Sequence, residues 1–188
     1  ATAEGDVTVL FITNKRFEIN GNDIMANLPY HPKCAMWFDH HELTESNEKP
    51  PASYKGKHAI APSVARVIYE YNASEKLKGF EHLVAETDRF DAAQLTLQDV
   101  LDPKGVILIG FTIDSRSGIG SFKDYFNDLV SWLKTMTIPE VLNQPEVKKR
   151  VALMKEQNAS FLDLLQKHSR RDGNVVVTDF RPLEKVPV

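Results

Sequence analysis

The 188-residue sequence has the composition of an ordinary globular protein, with 42% apolar and 26% charged residues. This balance excludes an intrinsically disordered chain, which has fewer apolar residues and a larger net charge. The net charge of −3 excludes a global basic field that would attract DNA, and no run approaches the roughly 20 apolar residues that cross a membrane. The single cysteine, Cys34, excludes an intramolecular disulfide framework and a cysteine-rich zinc site.

The two ends of the sequence favour a piece of a longer, cytoplasmic protein. The chain begins at Ala1 with neither the basic start nor the apolar core of a signal peptide. It stops at Val188, directly after residues that favour a strand and a turn. With one free cysteine and no export signal, the cytoplasm is the expected location.

Three apolar runs predict buried strands. Residues 6–14 and 34–38 are short, apolar and bounded by polar or turn-forming residues. Residues 106–113 are apolar throughout, which is typical of a strand covered on both faces of a parallel sheet. Between them, the polar residues 42–57 contain two prolines and a glycine and predict an exposed loop.

Helical periodicity fills the intervals between the predicted strands. Pro62 suits the first turn of a helix, and residues 74–86 and 121–133 predict two more helices. Beyond Pro145, apolar positions at helical spacing predict a long amphipathic helix that ends before Gly173.

Strands that alternate with helices predict an α/β fold with a largely parallel sheet flanked by helices. We expect an α/β domain over residues 1–140 and a connector helix over residues 141–173. Residues 174–188 then begin a second domain with a strand near Val175.

The segment with the clearest chemistry is Asp39-His40-His41, which follows the strand predicted at 34–38. Ligands collect at the carboxyl ends of the strands in open α/β sheets. Imidazole and carboxylate together suit Mn²⁺, Fe²⁺, Co²⁺ or Zn²⁺ better than Ca²⁺. The alternative is a polar strand end with solvated histidines, since the pattern is short.

Two further carboxylates are candidates for the same site. Asp23 is expected at the carboxyl end of a preceding strand, and Asp88 lies where a helical pattern ends. Taken alone, each is better explained as a cap or a solvated acid. The turn at residues 117–120 offers backbone N–H groups to a phosphate, but an ordinary glycine turn explains it better. The remaining histidines before the long helix are expected at the surface or in loops: His31, His58 and His82.

Taken together, these segments resemble the DHH phosphoesterase superfamily. This group includes RecJ-type exonucleases, small-oligonucleotide phosphatases and manganese-dependent family II pyrophosphatases, and the sequence looks most like its exopolyphosphatase-related bacterial members. The resembling segments cover most of the chain to about residue 133, and they are residues 23–30, 37–41, 63–71, 88–91 and 114–120.

The resemblance implies two divalent metal ions, expected to be Mn²⁺ with Mg²⁺ or Co²⁺ as alternatives. The implied metal ligands are carboxylates and one imidazole, namely Asp23, Asp39, His40 and Asp88. The implied catalytic residues are His41, directed at the substrate phosphate, and Asp39. Asp91 is an alternative to Asp88, because the local spacing does not distinguish them.

The function implied is that of a metal-dependent phosphohydrolase or phosphodiesterase (a hydrolase) acting on polyphosphate or short oligonucleotides. Two features differ from the family: this sequence has no Asp-x-Asp motif ahead of Asp23 and does not include the family's glycine- and histidine-rich C-terminal segment. We expect a missing N-terminal stretch to account for the first difference, and true loss of the motif is the alternative. One alternative is therefore a catalytically weakened nucleotide- or phosphate-binding regulatory module. Another is an unrelated zinc or iron hydrolase that uses His40 and His41. No membrane partner is expected, and a homodimer is one of the open oligomeric states.

Overall fold

The computed structural model describes residues 18–44, 49–113 and 122–183. The chain divides into two compact units, Ala1–Ile107 and Leu108–Val188. The domain boundaries expected at residues 140 and 173 differ from this division and stay a prediction. Within the described ranges, no helix combines the length and the apolar character that a membrane span needs.

The first unit contains a three-stranded sheet in the order β1-β2-β3, and both strand pairs are parallel. The strand predicted at residues 34–38 is confirmed as β2, whereas the strand predicted at residues 6–14 lies outside the described residues. The strands are β1 (Ile24–Ala26), β2 (Met36–Asp39) and β3 (Gly56–His58). The predicted α/β class with a parallel sheet is therefore confirmed.

Helices follow the sheet, as the periodicity predicts. The helix expected near Pro62 begins after Ser63, whose side chain accepts a hydrogen bond from the Arg66 amide as an N-cap. The predicted helix at residues 74–86 begins as a 3₁₀ helix and continues to Asp91. The elements are α1 (Val64–Asn72), a 3₁₀ helix (Glu75–Phe80), α2 (Glu81–Asp91) and α3 (Leu97–Leu101).

The central strand β2 carries the core of this unit. Trp37 is fully buried, and its indole N–H donates to the carbonyl oxygen of Leu28 at 2.7 Å. Its β3 neighbour is Gly56, where φ is +118° and a Cβ atom would lie 1.9 Å from the Trp37 carbonyl oxygen. Only glycine can therefore bring β3 this close to β2.

The prediction of a strand at residues 106–113 is wrong, because this segment forms helix α4 (Gly105–Phe111). Ile107 and Ile109 are buried, and the helix ends where the Thr112 amide donates to the Ile109 carbonyl. A short, uniformly apolar run has no periodicity that separates a buried strand from a buried helix. Packing rather than local sequence decides between them.

The second unit consists of helices followed by a hairpin. The helix predicted at residues 121–133, the long helix beyond Pro145 and the strand near Val175 are confirmed. The elements are α5 (Phe122–Thr135), α6 (Ile138–Leu142), α7 (Pro145–His168) and the antiparallel strands β4 (Ser169–Asp172) and β5 (Val175–Thr178). The core is formed by Ile109, Tyr125, Leu129, Val141 and Val147.

A buried polar group also stabilises the second unit. The Arg150 guanidinium is buried over the Tyr125 ring at 4.0 Å from its centroid, and its Nε donates to Glu146 at 2.9 Å. The Tyr125 hydroxyl pairs with the Thr112 hydroxyl. Burial raises the pKa of Tyr125 above its ordinary value, so this tyrosine stays neutral and serves packing.

Candidate active site

The carboxyl ends of the three parallel strands meet at one edge of the sheet. Ala26 pairs with Phe38, and Asp39 pairs with His58, so the residues that follow each strand lie side by side. The Asn27 amide donates to the Phe38 carbonyl at 3.0 Å and continues the pairing to this edge. The prediction that the Asp-His-His segment follows a buried strand of a parallel sheet is confirmed.

Asp39 is the buried centre of this edge, with 5% of its surface exposed. Its Oδ1 accepts hydrogen bonds from the His40 amide at 2.8 Å and the His41 amide at 3.3 Å. The same oxygen accepts from His41 Nδ1 at 2.8 Å. These contacts compensate the cost of burying a carboxylate, and they fold residues 39–41 into a tight turn.

The Asp39 carboxylate determines the tautomer of His41. A carboxylate oxygen accepts, so Nδ1 of His41 carries the proton and Nε2 presents a lone pair. The His41 side chain is 60% exposed, which leaves Nε2 accessible to a substrate. An imidazole oriented by a buried carboxylate is the arrangement used for proton transfer in hydrolases.

His40 has the same tautomer as His41, but its Nδ1 partner is a main-chain carbonyl and its side chain is more buried. Its Nδ1 donates to the carbonyl oxygen of Ala61 at 2.9 Å, and its Nε2 lies 3.5 Å from Asp91 Oδ2. The side chain of His40 is 12% exposed, whereas that of Asp91 is 40% exposed. An imidazole whose Nδ1–H is bound to a carbonyl directs its Nε2 lone pair outward, as metal-ligating histidines do.

The structure places Asp88 in an ion pair rather than beside His40. Its Oδ1 accepts from the Ser63 hydroxyl at 2.6 Å, and its Oδ2 accepts from Arg66 Nε at 2.9 Å and Nη2 at 2.6 Å. Both carboxylate oxygens therefore have strong partners. One turn further along α2, Asp91 faces His40 instead, so the geometry favours Asp91 over Asp88 as the acidic neighbour of the Asp-His-His turn.

Asp23 directly precedes β1, and the strand at residues 6–14 that it was expected to follow lies outside the described residues. Its main-chain oxygen accepts from the Ala35 amide, and its Oδ2 accepts from the Asn20 amide at 2.8 Å. Because β1 and β2 are parallel, Asp23 lies at the amino edge of the sheet, roughly 13 Å along the strand from Asp39. The structure does not bring Asp23 to the other candidates, and the geometry offers no support for its predicted role as a metal ligand.

His58 belongs to this edge, although its sequence context predicts a loop or surface residue. It ends β3, and its Nε2 donates to the main-chain oxygen of His41 at 2.7 Å. Its ring stacks on Trp37 with centroids 5.4 Å apart and planes at 9°. The signal available in the sequence was Gly56, because an isolated glycine often marks a place where another backbone approaches a strand closely.

The described residues supply only part of a metal-binding site. Among residues 18–44, 49–113 and 122–183, no three His, Cys, Asp or Glu side chains are grouped so that they could hold one ion. The pair formed by His40 Nε2 and Asp91 Oδ2 has donor chemistry that suits Mn²⁺. This pair supplies two ligands for one ion, whereas the expected two-ion centre with Asp23, Asp39 and Asp88 is not assembled. The glycine turn at residues 117–120 lies outside the described residues.

Comparison with known proteins adds a likeness to a solved structure. Neither a protein-family model nor a curated protein sequence matches the chain. Among solved structures, the chain is similar to PggH, a pGpG-specific phosphodiesterase from Vibrio cholerae, with 29% sequence identity and a TM-score of 0.75. The fold is that of a DHH-type phosphoesterase. The similarity does not favour the RecJ-type or exopolyphosphatase-related members in particular.

The similarity covers 91% of this chain and 57% of PggH. The chain therefore spans little more than half the length of the phosphodiesterase that it resembles. The Asp-His-His turn, His58 and Asp91 all belong to the first of the two compact units.

Proposed function

We propose that this chain is part of a phosphodiesterase that hydrolyses short oligonucleotides. The observation that carries the proposal is the Asp39–His41 pair, a buried carboxylate bonded at 2.8 Å to an exposed imidazole at the carboxyl edge of the sheet. The likeness to a pGpG-specific phosphodiesterase supports a short oligonucleotide over polyphosphate as the substrate.

In this proposal His41 acts directly on the substrate. Its Nε2 binds a phosphate oxygen or exchanges a proton with the attacking or leaving oxygen, while Asp39 keeps the ring in one orientation and stabilises it when it becomes charged. Phosphoryl transfer depends mainly on positioning and on stabilising negative charge. A single well-oriented imidazole therefore has a large effect on the rate.

His40 and Asp91 are the residues proposed to hold a divalent cation, with Mn²⁺ expected and Mg²⁺ or Co²⁺ as substitutes. A bound divalent cation supplies positive charge to the phosphate oxygens and lowers the pKa of water. His40 is oriented for this by the Ala61 carbonyl. Asp91 is half-exposed and is free to adjust its carboxylate toward the ion.

The test is a substrate screen with the full chain in the presence of Mn²⁺. The substrates are pGpG, other dinucleotides and longer oligonucleotides, phosphoadenosine phosphate and polyphosphate. We expect hydrolysis of dinucleotides, and we expect His41→Asn to lower kcat about 100-fold or more without changing Tm. Hydrolysis of polyphosphate alone, or unchanged kcat in His41→Asn, would contradict the proposal. Mn²⁺ binding, measured by calorimetry, should weaken in His40→Asn and in Asp91→Asn.

One observation favours a second candidate, a nucleotide-binding module without turnover. Among the described residues, no group of three metal-competent side chains is assembled, and a weakened metal site lowers turnover more than binding. Binding of pGpG by calorimetry without hydrolysis in the presence of Mn²⁺, Mg²⁺ or Co²⁺ would support this candidate over the enzyme.

A further inference from the structure

The Asp-His-His turn is held by the last residue of β3 and by the segment that follows β3. The Ala61 carbonyl in this segment accepts from His40 Nδ1 at 2.9 Å, and Nε2 of His58, the last residue of β3, lies 2.7 Å from the His41 main-chain oxygen. Of these two contacts, the one from His58 is made by a side chain. It reaches the main chain of His41, the residue placed on the substrate in the proposed reaction.

His58 is itself fixed on two sides. Its main-chain amide donates to the Tyr54 hydroxyl at 2.9 Å. Its ring lies flat against the indole of Trp37, which is fully buried and bonded to the Leu28 carbonyl. A ring stacked on an immobile indole has little rotamer freedom, so its Nε2 points at one place.

The direction of the hydrogen bond follows from chemistry. A carbonyl oxygen only accepts, so Nε2 of His58 carries a proton and donates to the main chain of His41. The strand register places His58 opposite Asp39, whose Oδ1 accepts from the His41 ring. His41 is thereby restrained at its main chain by one neighbour and at its ring by the other.

We propose that His58 is a positioning residue for His41. It fixes the His41 main chain so that the His41 ring keeps its bond to Asp39 and its Nε2 keeps one direction. This inference rests on the proposed function, because it assigns His58 a role in the reaction that His41 performs. Loss of the bond loosens His41 without removing a group that contacts the substrate, so it lowers kcat and leaves KM nearly unchanged.

The experiment compares three variants of the full chain. His58→Phe keeps a flat ring against Trp37 and removes the donor, while His58→Gln offers a replacement N–H donor. His82→Phe is the matched control, since His82 is an exposed histidine on α2. Dinucleotide hydrolysis gives kcat and KM, thermal unfolding gives Tm, and ¹⁵N NMR of the histidine rings reports which ring nitrogens carry a proton.

We expect His58→Phe to lower kcat about 10- to 100-fold with KM changed less than about threefold. His58→Gln should recover much of kcat, and His82→Phe should match the wild type. The wild-type spectrum should show His58 protonated at Nε2 and His41 at Nδ1, and the His41 Nδ1 proton should exchange faster in His58→Phe. Unchanged kcat in His58→Phe, or an equal loss in His58→Phe and His58→Gln at unchanged Tm, would overturn the inference.

The NMR measurement separates this inference from the proposed function. If the wild-type chain hydrolyses no dinucleotide, the proposed function fails, and the ring spectra still test the restraint on His41. Faster exchange of the His41 Nδ1 proton in His58→Phe then supports the restraint. Unchanged exchange overturns it.

Discussion

The two edges of the three-stranded sheet carry similar side chains and use them differently. At the amino edge, Asp23 accepts one main-chain hydrogen bond and closes a surface turn. At the carboxyl edge, Asp39 is buried and accepts three hydrogen bonds that orient His40 and His41. Whether a carboxylate next to a strand belongs to the candidate site therefore depends on the edge of the sheet at which it lies.

The difference follows from the parallel arrangement. All strands of a parallel sheet end at the same edge, and the connections that leave them lie close together there. At this edge, residues from the end of β3 and from α2 reach the turn after β2, as His58 and Asp91 do. The amino edge of the described sheet gathers no comparable set of side chains.

The largest effect should come from Gly56→Ala, which disturbs the pairing of β3 with β2 and therefore the carboxyl edge of the sheet. A Cβ atom would lie 1.9 Å from the Trp37 carbonyl, and φ of +118° is strained for any L side chain. We expect the free energy of unfolding to fall by about 2 to 4 kcal/mol, with loss of dinucleotide hydrolysis. Urea unfolding measures the first effect. Gly79→Ala is the control, because nothing lies within 4 Å of its Cβ position.

The second prediction separates two acids that lie three residues apart on α2. Asp88→Asn weakens a partly buried ion pair with Arg66, so we expect stability to fall by about 1 to 3 kcal/mol. Asp91→Asn removes the neighbour of His40, so we expect about a 10-fold lower kcat or more with unchanged Tm.

Thermal unfolding and initial rates for both variants check this contrast. The control is Arg66→Lys, which keeps the charge but loses the two-pronged contact with Asp88 and should lower Tm in the same direction as Asp88→Asn. A large loss of kcat at unchanged Tm in Asp88→Asn would return Asp88 to the metal-binding role that the sequence predicted.

The third prediction tests the amino edge directly. Asp23→Asn keeps an oxygen that can accept from the Asn20 amide, so the turn should persist. We expect kcat within twofold of the wild type and Mn²⁺ affinity unchanged, as measured by initial rates and calorimetry. A loss of Mn²⁺ binding in Asp23→Asn would contradict the proposal that the metal ion is bound at the carboxyl edge without Asp23.

The smallest effect concerns the start of α3, where Asp99 binds Thr96, the N-cap of α3, and Arg89 of α2. The Thr96 hydroxyl and amide donate to Asp99 and hold the pKa of its carboxyl below the ordinary value. A carboxyl whose pKa is lowered on folding stabilises the protein above its unfolded pKa, and this contribution is lost as pH falls through the folded pKa. Asp99→Asn should thus lower Tm slightly at pH 7, and the difference from wild type should shrink below about pH 4. A difference that grows on acidification would contradict this assignment.

The sequence predicted the centre of the site because its parts are contiguous. Asp39, His40 and His41 directly follow an apolar run in the sequence, so a few consecutive residues are enough to place all three at the end of a strand. His58 was missed because β3 has only three residues, Gly56–His58, and none is β-branched or large and apolar. Its position depends on pairing with Trp37 and Phe38, which is information from another segment.

The errors in the prediction also arise from contacts between residues that are distant in the sequence. Asp88 and Asp91 lie on one helix, and their different partners are set by Arg66 and His40 from elsewhere in the chain. The helix α4 was predicted as a strand because its residues are apolar in an unbroken run. Element types with clear periodicity, such as α5 and α7, were correct, whereas long-range partners were not available from spacing.

The Ser63 hydroxyl has a mechanical consequence for this edge. The same oxygen accepts from the Arg66 amide at the start of α1 and donates to Asp88 in the middle of α2. A shift of α2 by one residue relative to α1 would break the bond to Asp88, whereas the N-cap bond within α1 would persist. Ser63 lies two residues after Ala61, so the segment that orients His40 is tied to the helix that carries Asp91.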